Sequence, residues 1–256
     1  MRKLCLASSL ALVLSVTGCG VKNPPLQIGS SVAGNWAFTA ANQQLDLNLG
    51  FTQGSYETVS AVGRLHGVAC ISPATDILLT GSVSATNQMT LVSSPLNGST
   101  VTLRGQLAAD SSGMAGTTLT FSGGQCASLG TKAVTAIQYS PIGGTYTGNF
   151  IDADGNLLAV SAFLEQTTQP NADGQFTLSG TATFPPNTCF VQQPTLTQSV
   201  VTGSSLSMTY ADAGSTATIN ASGTFNSAAT QLTISSWQIQ GGPCNGNFGT
   251  GLLNEQ

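Results

Sequence analysis

The chain has 256 residues, of which only 6% are charged, against about 25% in ordinary soluble domains. Six basic residues face ten acidic ones, and Arg2 and Lys3 sit at the extreme N-terminus, so no basic patch remains for electrostatic capture of nucleic acid. The length suits one or two domains, kept in solution by Ser, Thr, Asn and Gln rather than by charge.

Met1-Arg2-Lys3 is followed by an almost unbroken apolar run from Leu4 to Val16 and then by Thr17-Gly18-Cys19. A basic end, a short apolar stretch and small residues are the parts of a secretory signal peptide. The run is about 13 residues, too short to cross a ~30 Å hydrocarbon core comfortably. A signal peptide cleaved after residue 18 is therefore expected, not a retained transmembrane helix. Val16-Thr17-Gly18-Cys19 resembles the lipobox of bacterial lipoproteins: an aliphatic residue, a small one, Gly, Ala or Ser, then Cys. The resemblance implies that Cys19 becomes the N-terminus and carries acyl chains such as palmitate on its sulfur. The first partner would then be the membrane, reached through the lipid. In Gram-negative members of that class, Gly20 in place of Asp implies the outer membrane. Cys5 lies inside the apolar stretch and leaves with it. Residues 19–33, with Pro24-Pro25, hold no periodicity and read as a lipidated tether with a mean reach of about 20 Å.

Four further cysteines follow: Cys70, Cys126, Cys189 and Cys244. An even number in an exported chain reads as disulfides. Zinc ligands cluster two to four residues apart; these cysteines are far apart and only one His accompanies them. Their spacing also exposes a repeat, since Cys70 to Cys126 spans 56 positions and Cys189 to Cys244 spans 55. Gly34-Asn35-Trp36-Ala37-Phe38-Thr39 opens one half, and Gly144-Thr145-Tyr146-Thr147-Gly148-Asn149-Phe150 opens the other. Ser99-Thr100-Val101-Thr102-Leu103 matches Ser215-Thr216-Ala217-Thr218-Ile219. Thr118-Leu119-Thr120-Phe121 matches Gln231-Leu232-Thr233-Ile234. We read two copies of about 110 residues, at 34–139 and 143–253, the second with an insertion ahead of its first Cys. Pairing Cys70 with Cys126 and Cys189 with Cys244 lets each copy close itself, each bridge stabilising by about 4 kcal/mol in the chain-entropy model.

From residue 34 the chain alternates. Leu45-Asp46-Leu47-Asn48-Leu49 puts three Leu on one face, and Gln231-Leu232-Thr233-Ile234-Ser235 does the same with Leu and Ile. Period two marks a half-buried strand. Asn97-Gly98, Ser112-Gly113, Asp154-Gly155, Asp173-Gly174 and Gly241-Gly242-Pro243 mark the turns. Each copy therefore holds seven or eight short strands joined by hairpins, and must hide its edges in a barrel or a sandwich. The expected fold is all-β, with two tandem antiparallel meander barrels and the sandwich as alternative. Gly34-Asn35-Trp36 resembles the Gly-x-Trp that opens lipocalins. The likeness covers three residues, and no second lipocalin motif follows. Trp36 is expected in a barrel floor, with Tyr146 as its equivalent.

Catalytic chemistry finds little to stand on. A hydrolase triad needs a nucleophile and a carboxylate around His66, and no Gly-x-Ser-x-Gly elbow is present. Asp152-Ala153-Asp154-Gly155-Asn156 resembles the start of a calcium loop, but the sixth and twelfth positions hold Leu157 and Phe163 in place of Gly and Glu; a hairpin turn explains it. Asp46, Glu57 and Glu165 sit in no recognisable acid–base context. Trp237 could stack on a sugar, although a core role suits it better. No catalytic, metal or cofactor site is expected. The function that remains is a lipid-anchored, non-catalytic envelope module binding a small apolar molecule, a glycan or a protein. Its alternatives are a structural or assembly component and, behind that, a hydrolase.

Overall fold

The computed structural model describes residues 31–41, 45–54, 57–71, 75–184 and 189–256. The signal peptide, Cys19 and most of the expected tether lie outside the described residues. Among the described residues sixteen strands form, eight in each half. The first half holds β1 (Gly34–Ala40), β2 (Asp46–Gln53), β3 (Thr58–His66), β4 (Thr75–Val83), β5 (Gln88–Ser93), β6 (Thr100–Leu107), β7 (Gly113–Ser122) and β8 (Thr131–Tyr139). The second holds β9 (Gly143–Asp152), β10 (Leu157–Gln166), β11 (Phe176–Thr183), β12 (Thr195–Thr202), β13 (Ser205–Ala211), β14 (Thr218–Phe225), β15 (Gln231–Gln240) and β16 (Phe248–Glu255). A 3₁₀ helix, Gly124–Leu129, precedes β8.

Each half is an up-and-down antiparallel barrel, closed by β1 pairing with β8 and by β9 pairing with β16. The sandwich alternative is set aside: closure removes every edge strand. The alternation read in the sequence is the in–out period of the wall. In β5 (Gln88–Ser93), exposed and buried residues alternate without exception. Strands must tilt and coil to close so small a barrel, and glycines let neighbouring backbones approach. At Gly63 a β carbon would collide with the Asn48 carbonyl, and at Gly148 with that of Leu252. Between β5 and β6, Asn97 (φ 49°) and Gly98 (φ 77°) turn the chain, with both φ positive as a type I′ turn requires.

Eight strands leave an interior just wide enough for side chains to fill. In the first barrel Trp36, Phe38 and Phe51 meet with ring centroids 6.1 Å apart and are fully enclosed. In the second, Phe150 stacks on Trp237 at 5.5 Å, beside the enclosed Tyr146, Tyr210 and Phe176. Burying each such ring contributes about 1.5–3 kcal/mol. The two cores are separate clusters.

The halves correspond strand by strand. Cys70, in the β3–β4 loop, bonds Cys126, in the β7–β8 loop; Cys189, in the β11–β12 loop, bonds Cys244, in the β15–β16 loop. Each bridge caps the same end of its barrel. At the other end, the floor, Trp36 donates its indole N–H to the Val32 carbonyl, and Tyr146 donates its hydroxyl to that of Ala229. The residue two places ahead of the opening Gly is also matched. The Val32 amide donates to the Gln53 side chain at 2.8 Å, and the Ile142 amide to the Gln166 side chain at 3.1 Å.

The barrels are not side by side. The floor of the second stands end-on against the outer wall of the first, over β1, β2 and β3. Gly203, at the β12–β13 tip, bonds Asn35; Pro170 and the Gly174 carbonyl close on Gly50. At the linker the Ser140 amide donates to the Ser227 carbonyl, and Tyr139 of β8 meets Phe225 edge-on at 5.2 Å. Pro170 and Gly174 belong to the β10–β11 loop, which spans 167–175, where its counterpart between β2 and β3 spans only 54–57. Part of the insertion seen between the repeats is thus the segment that docks them.

Candidate functional site

Since the barrels are filled, the concave surfaces lie outside them. Two flank the seam. The larger, about 470 Å³, runs between the floor of the second barrel and the linker, lined by Gly34, Gln138, Tyr139, Pro141, Thr168 and Phe176 among others. Gln138 spans its mouth, donating to the Ala33 carbonyl at 3.1 Å. Its surface mixes aromatic faces with amides and carries no charged side chain among the described residues.

The second seam cleft, about 280 Å³, is lined by charged side chains that the first lacks. Asn48, Arg64, His66 and Asp76 come from the wall of the first barrel, Asp173, Gln175, Thr202 and Ser205 from the floor of the second. Arg64 and Asp76, opposite each other on β3 and β4, form an ion pair at 3.0 Å with both side chains more than half exposed. In that setting it contributes less than about 1 kcal/mol. His66 therefore does share a cleft with two hydroxyls and two carboxylates. Among the described residues no hydrogen bond joins its imidazole to Thr202, Ser205, Asp76 or Asp173.

A third concavity, about 430 Å³, lies on the wall of the second barrel across β13–β16. Ser207, Thr209, Asn220, Ser222, Ser236 and Gln238 line it, with Phe248 at the rim. Two irregularities in strand pairing converge there, one between Ser222 and Gly223 and one between Ile234 and Trp237. Bulges bend a sheet and re-aim its side chains.

No family model, no curated protein and no solved structure matches the chain.

The sequence candidates disperse. The four later cysteines meet in their two pairs, whereas Cys19 falls outside the described residues. Asp46 and Glu57 lie at opposite ends of the first barrel, and Glu165 is in the second. Asp152 serves its turn: its carboxylate accepts the Asp154 and Asn156 amides and the Asn156 side chain at 2.8–3.0 Å. These bonds, the Asn156 side chain first, hold its pKa below the ordinary carboxylate value. Trp237 is 3% exposed and donates its indole N–H to the Thr250 carbonyl. Asp212 went unnoticed in the sequence. It sits 4% exposed in the β13–β14 turn and ties down the loop that follows Cys189, accepting the Val191 and Gln192 amides, the Gly214 amide and the Ser215 hydroxyl. Burial pushes its pKa up, but the four donors outweigh burial and hold it down at about 2.

Proposed function

We propose that the chain is a lipid-anchored, non-catalytic binding module of the bacterial cell envelope that recognises its ligand on the outside of two rigid barrels. The observation that carries this reading is the filling of both interiors by enclosed aromatic side chains, together with clefts of about 260–470 Å³ on the seam and walls. Ligand sites are ordinarily concavities of this order with a few convergent polar groups. Anchoring rests on the lipobox of the sequence. The two disulfides suit an oxidising compartment.

One observation favours a second reading, an envelope assembly component. Ile151, Leu157 and Leu252 are 40–68% exposed on adjoining strands β9, β10 and β16, the kind of apolar surface that partners cover.

The test is native mass spectrometry of the full chain recovered from bacterial membranes, with intact-mass analysis of its N-terminus. An acylated Cys19 start and a co-purified small molecule are the expected result. A co-purified protein favours the assembly reading. An unprocessed Met1 start in the soluble fraction would overturn the anchor.

A further inference from the structure

We propose that the outer wall of the second barrel binds a neutral oligosaccharide along one cross-strand row, Thr209–Asn220–Gln238–Phe248. This rests on the binding-module reading and names its ligand class and site. The row is a matter of register: Thr209 pairs with Asn220, Asn220 with Gln238, and Gln238 with Phe248. A second row runs beside it, with Ser207 paired to Ser222 and Ser222 to Ser236. Four neighbouring strands at about 4.8 Å spacing make a track roughly 14 Å long, the span of a short oligosaccharide.

The chemistry of the track is selective. A neutral sugar offers hydroxyls that both donate and accept, and a C–H face. The row offers amides and hydroxyls that do both, and at one end the Phe248 ring, 56% exposed. The Thr209 hydroxyl donates to Asn220 Oδ1 at 3.0 Å, which fixes the amide and leaves its Nδ2 protons for a ligand. The Ser222 and Ser236 hydroxyls bond each other at 2.8 Å, setting the lower row. No charged residue lines the concavity among the described residues, so an ionic ligand would find no counter-charge. The bulge at Ser235-Ser236 bends the wall here, and Trp237 and Gly249 also line the concavity.

The repeat supplies an internal comparison. The corresponding row of the first barrel is Val92–Thr102–Thr120–Thr131. Thr102 takes the place of Asn220, and Thr131 ends the row where Phe248 ends the other; Arg104 matches Ser222, in the row beside it. That wall also carries a depression, of about 260 Å³. It has a charge in the middle and no aromatic residue among those lining it. The second barrel alone combines a neutral track with an aromatic end.

The experiment titrates the full mature chain, disulfides intact, with neutral hexasaccharides of the β-1,4-glucan, α-1,4-glucan, β-1,3-glucan and chitin types, by calorimetry and tryptophan emission. Trp36 is fully enclosed, so Trp237 is the reporter. The expected result is saturable binding of at least one saccharide with a change in emission. Phe248→Ala, and Asn220→Arg, which puts a long cation in the middle of the neutral row, should each weaken it by about tenfold or more. Arg104→Ala should leave it unchanged. These positions are on the surface, and matching melting curves verify that the variants fold. Binding that survives both Phe248→Ala and Asn220→Arg overturns the site and leaves the binding-module reading standing. Absence of binding to all four overturns the ligand class. A lipid or other small molecule co-purified in native mass spectrometry would then keep the broader reading alive, and a bare chain would end both.

Discussion

Asn35 on the wall of the first barrel and Gly203 at a hairpin tip of the second exchange two hydrogen bonds. Asn35 Nδ2 donates to the Gly203 carbonyl at 2.7 Å, and the Gly203 amide donates to Asn35 Oδ1 at 2.8 Å. One side-chain amide thus stands in for a neighbouring peptide, and Asn35 is left only 2% exposed.

Truncating that amide strands a donor and an acceptor. Each group left unpaired in a buried seam costs about 1–3 kcal/mol. Asn35→Ala should therefore lower the melting temperature measurably. Asn35→Asp should not rescue it, because a carboxylate cannot donate to the Gly203 carbonyl. Thermal denaturation by circular dichroism checks both; an unchanged melting temperature for Asn35→Ala would remove the seam from the account of stability.

Gly50 faces outward on β2, and a β carbon there would come within 2.6 Å of both the Gly174 carbonyl oxygen and Pro170 Cβ. Gly50→Val leaves both cores untouched but wedges the barrels apart. Small-angle scattering should report a larger radius of gyration, with near-native strand content by circular dichroism. An unchanged scattering profile would contradict the end-on contact.

Each disulfide closes a loop of more than fifty residues, at sequence separations of 56 and 55. The chain-entropy model gives about 4 kcal/mol for either, against a net stability of roughly 5–15 kcal/mol for ordinary domains. Replacing Cys70 and Cys126 together by Ala should destabilise the first barrel by about that amount in urea titrations, and the Cys189/Cys244 pair should do the same for the second. Because the cores are separate, each double variant should unfold its own barrel at lower urea.

The Asp212 carboxyl titrates at about 2 in the folded chain, below its ordinary value of 3.8. A lowered folded pKa means that the ionised form is the one the fold favours. Its contribution is complete above about pH 4 and is lost as the pH falls toward 2. The wild-type melting temperature should drop through that window. Asp212→Asn should start lower at neutral pH and fall less steeply on acidification. Parallel curves for the two proteins would rule out Asp212 as the source of the acid sensitivity.

Much of the architecture was legible because it is written locally. Leu47, Leu49 and Phe51 fall on the inner face of β2 by simple alternation, and the nearly equal cysteine intervals, 56 and 55, pointed to one bridge in each copy. Trp36 and Tyr146 reached the floor as their matched positions required. The candidate sites were less legible, because they depend on register and on docking. Nothing in its neighbours says that Asn35 is covered while Thr145, at the matching place, is exposed. The row ending at Phe248 draws residues from four strands spread over about forty positions, and only strand pairing lines them up.

The seam joins a barrel end to a barrel side, so the two copies offer different surfaces to one another. Head-to-tail contacts of that kind do not close on themselves and can extend into fibres. The extended β10–β11 segment that grips Gly50 is what the first copy lacks, since only four residues join β2 to β3 where nine join β10 to β11. Difference between the duplicated halves thereby becomes a stop signal, limiting an open-ended mode of stacking to a single intramolecular step.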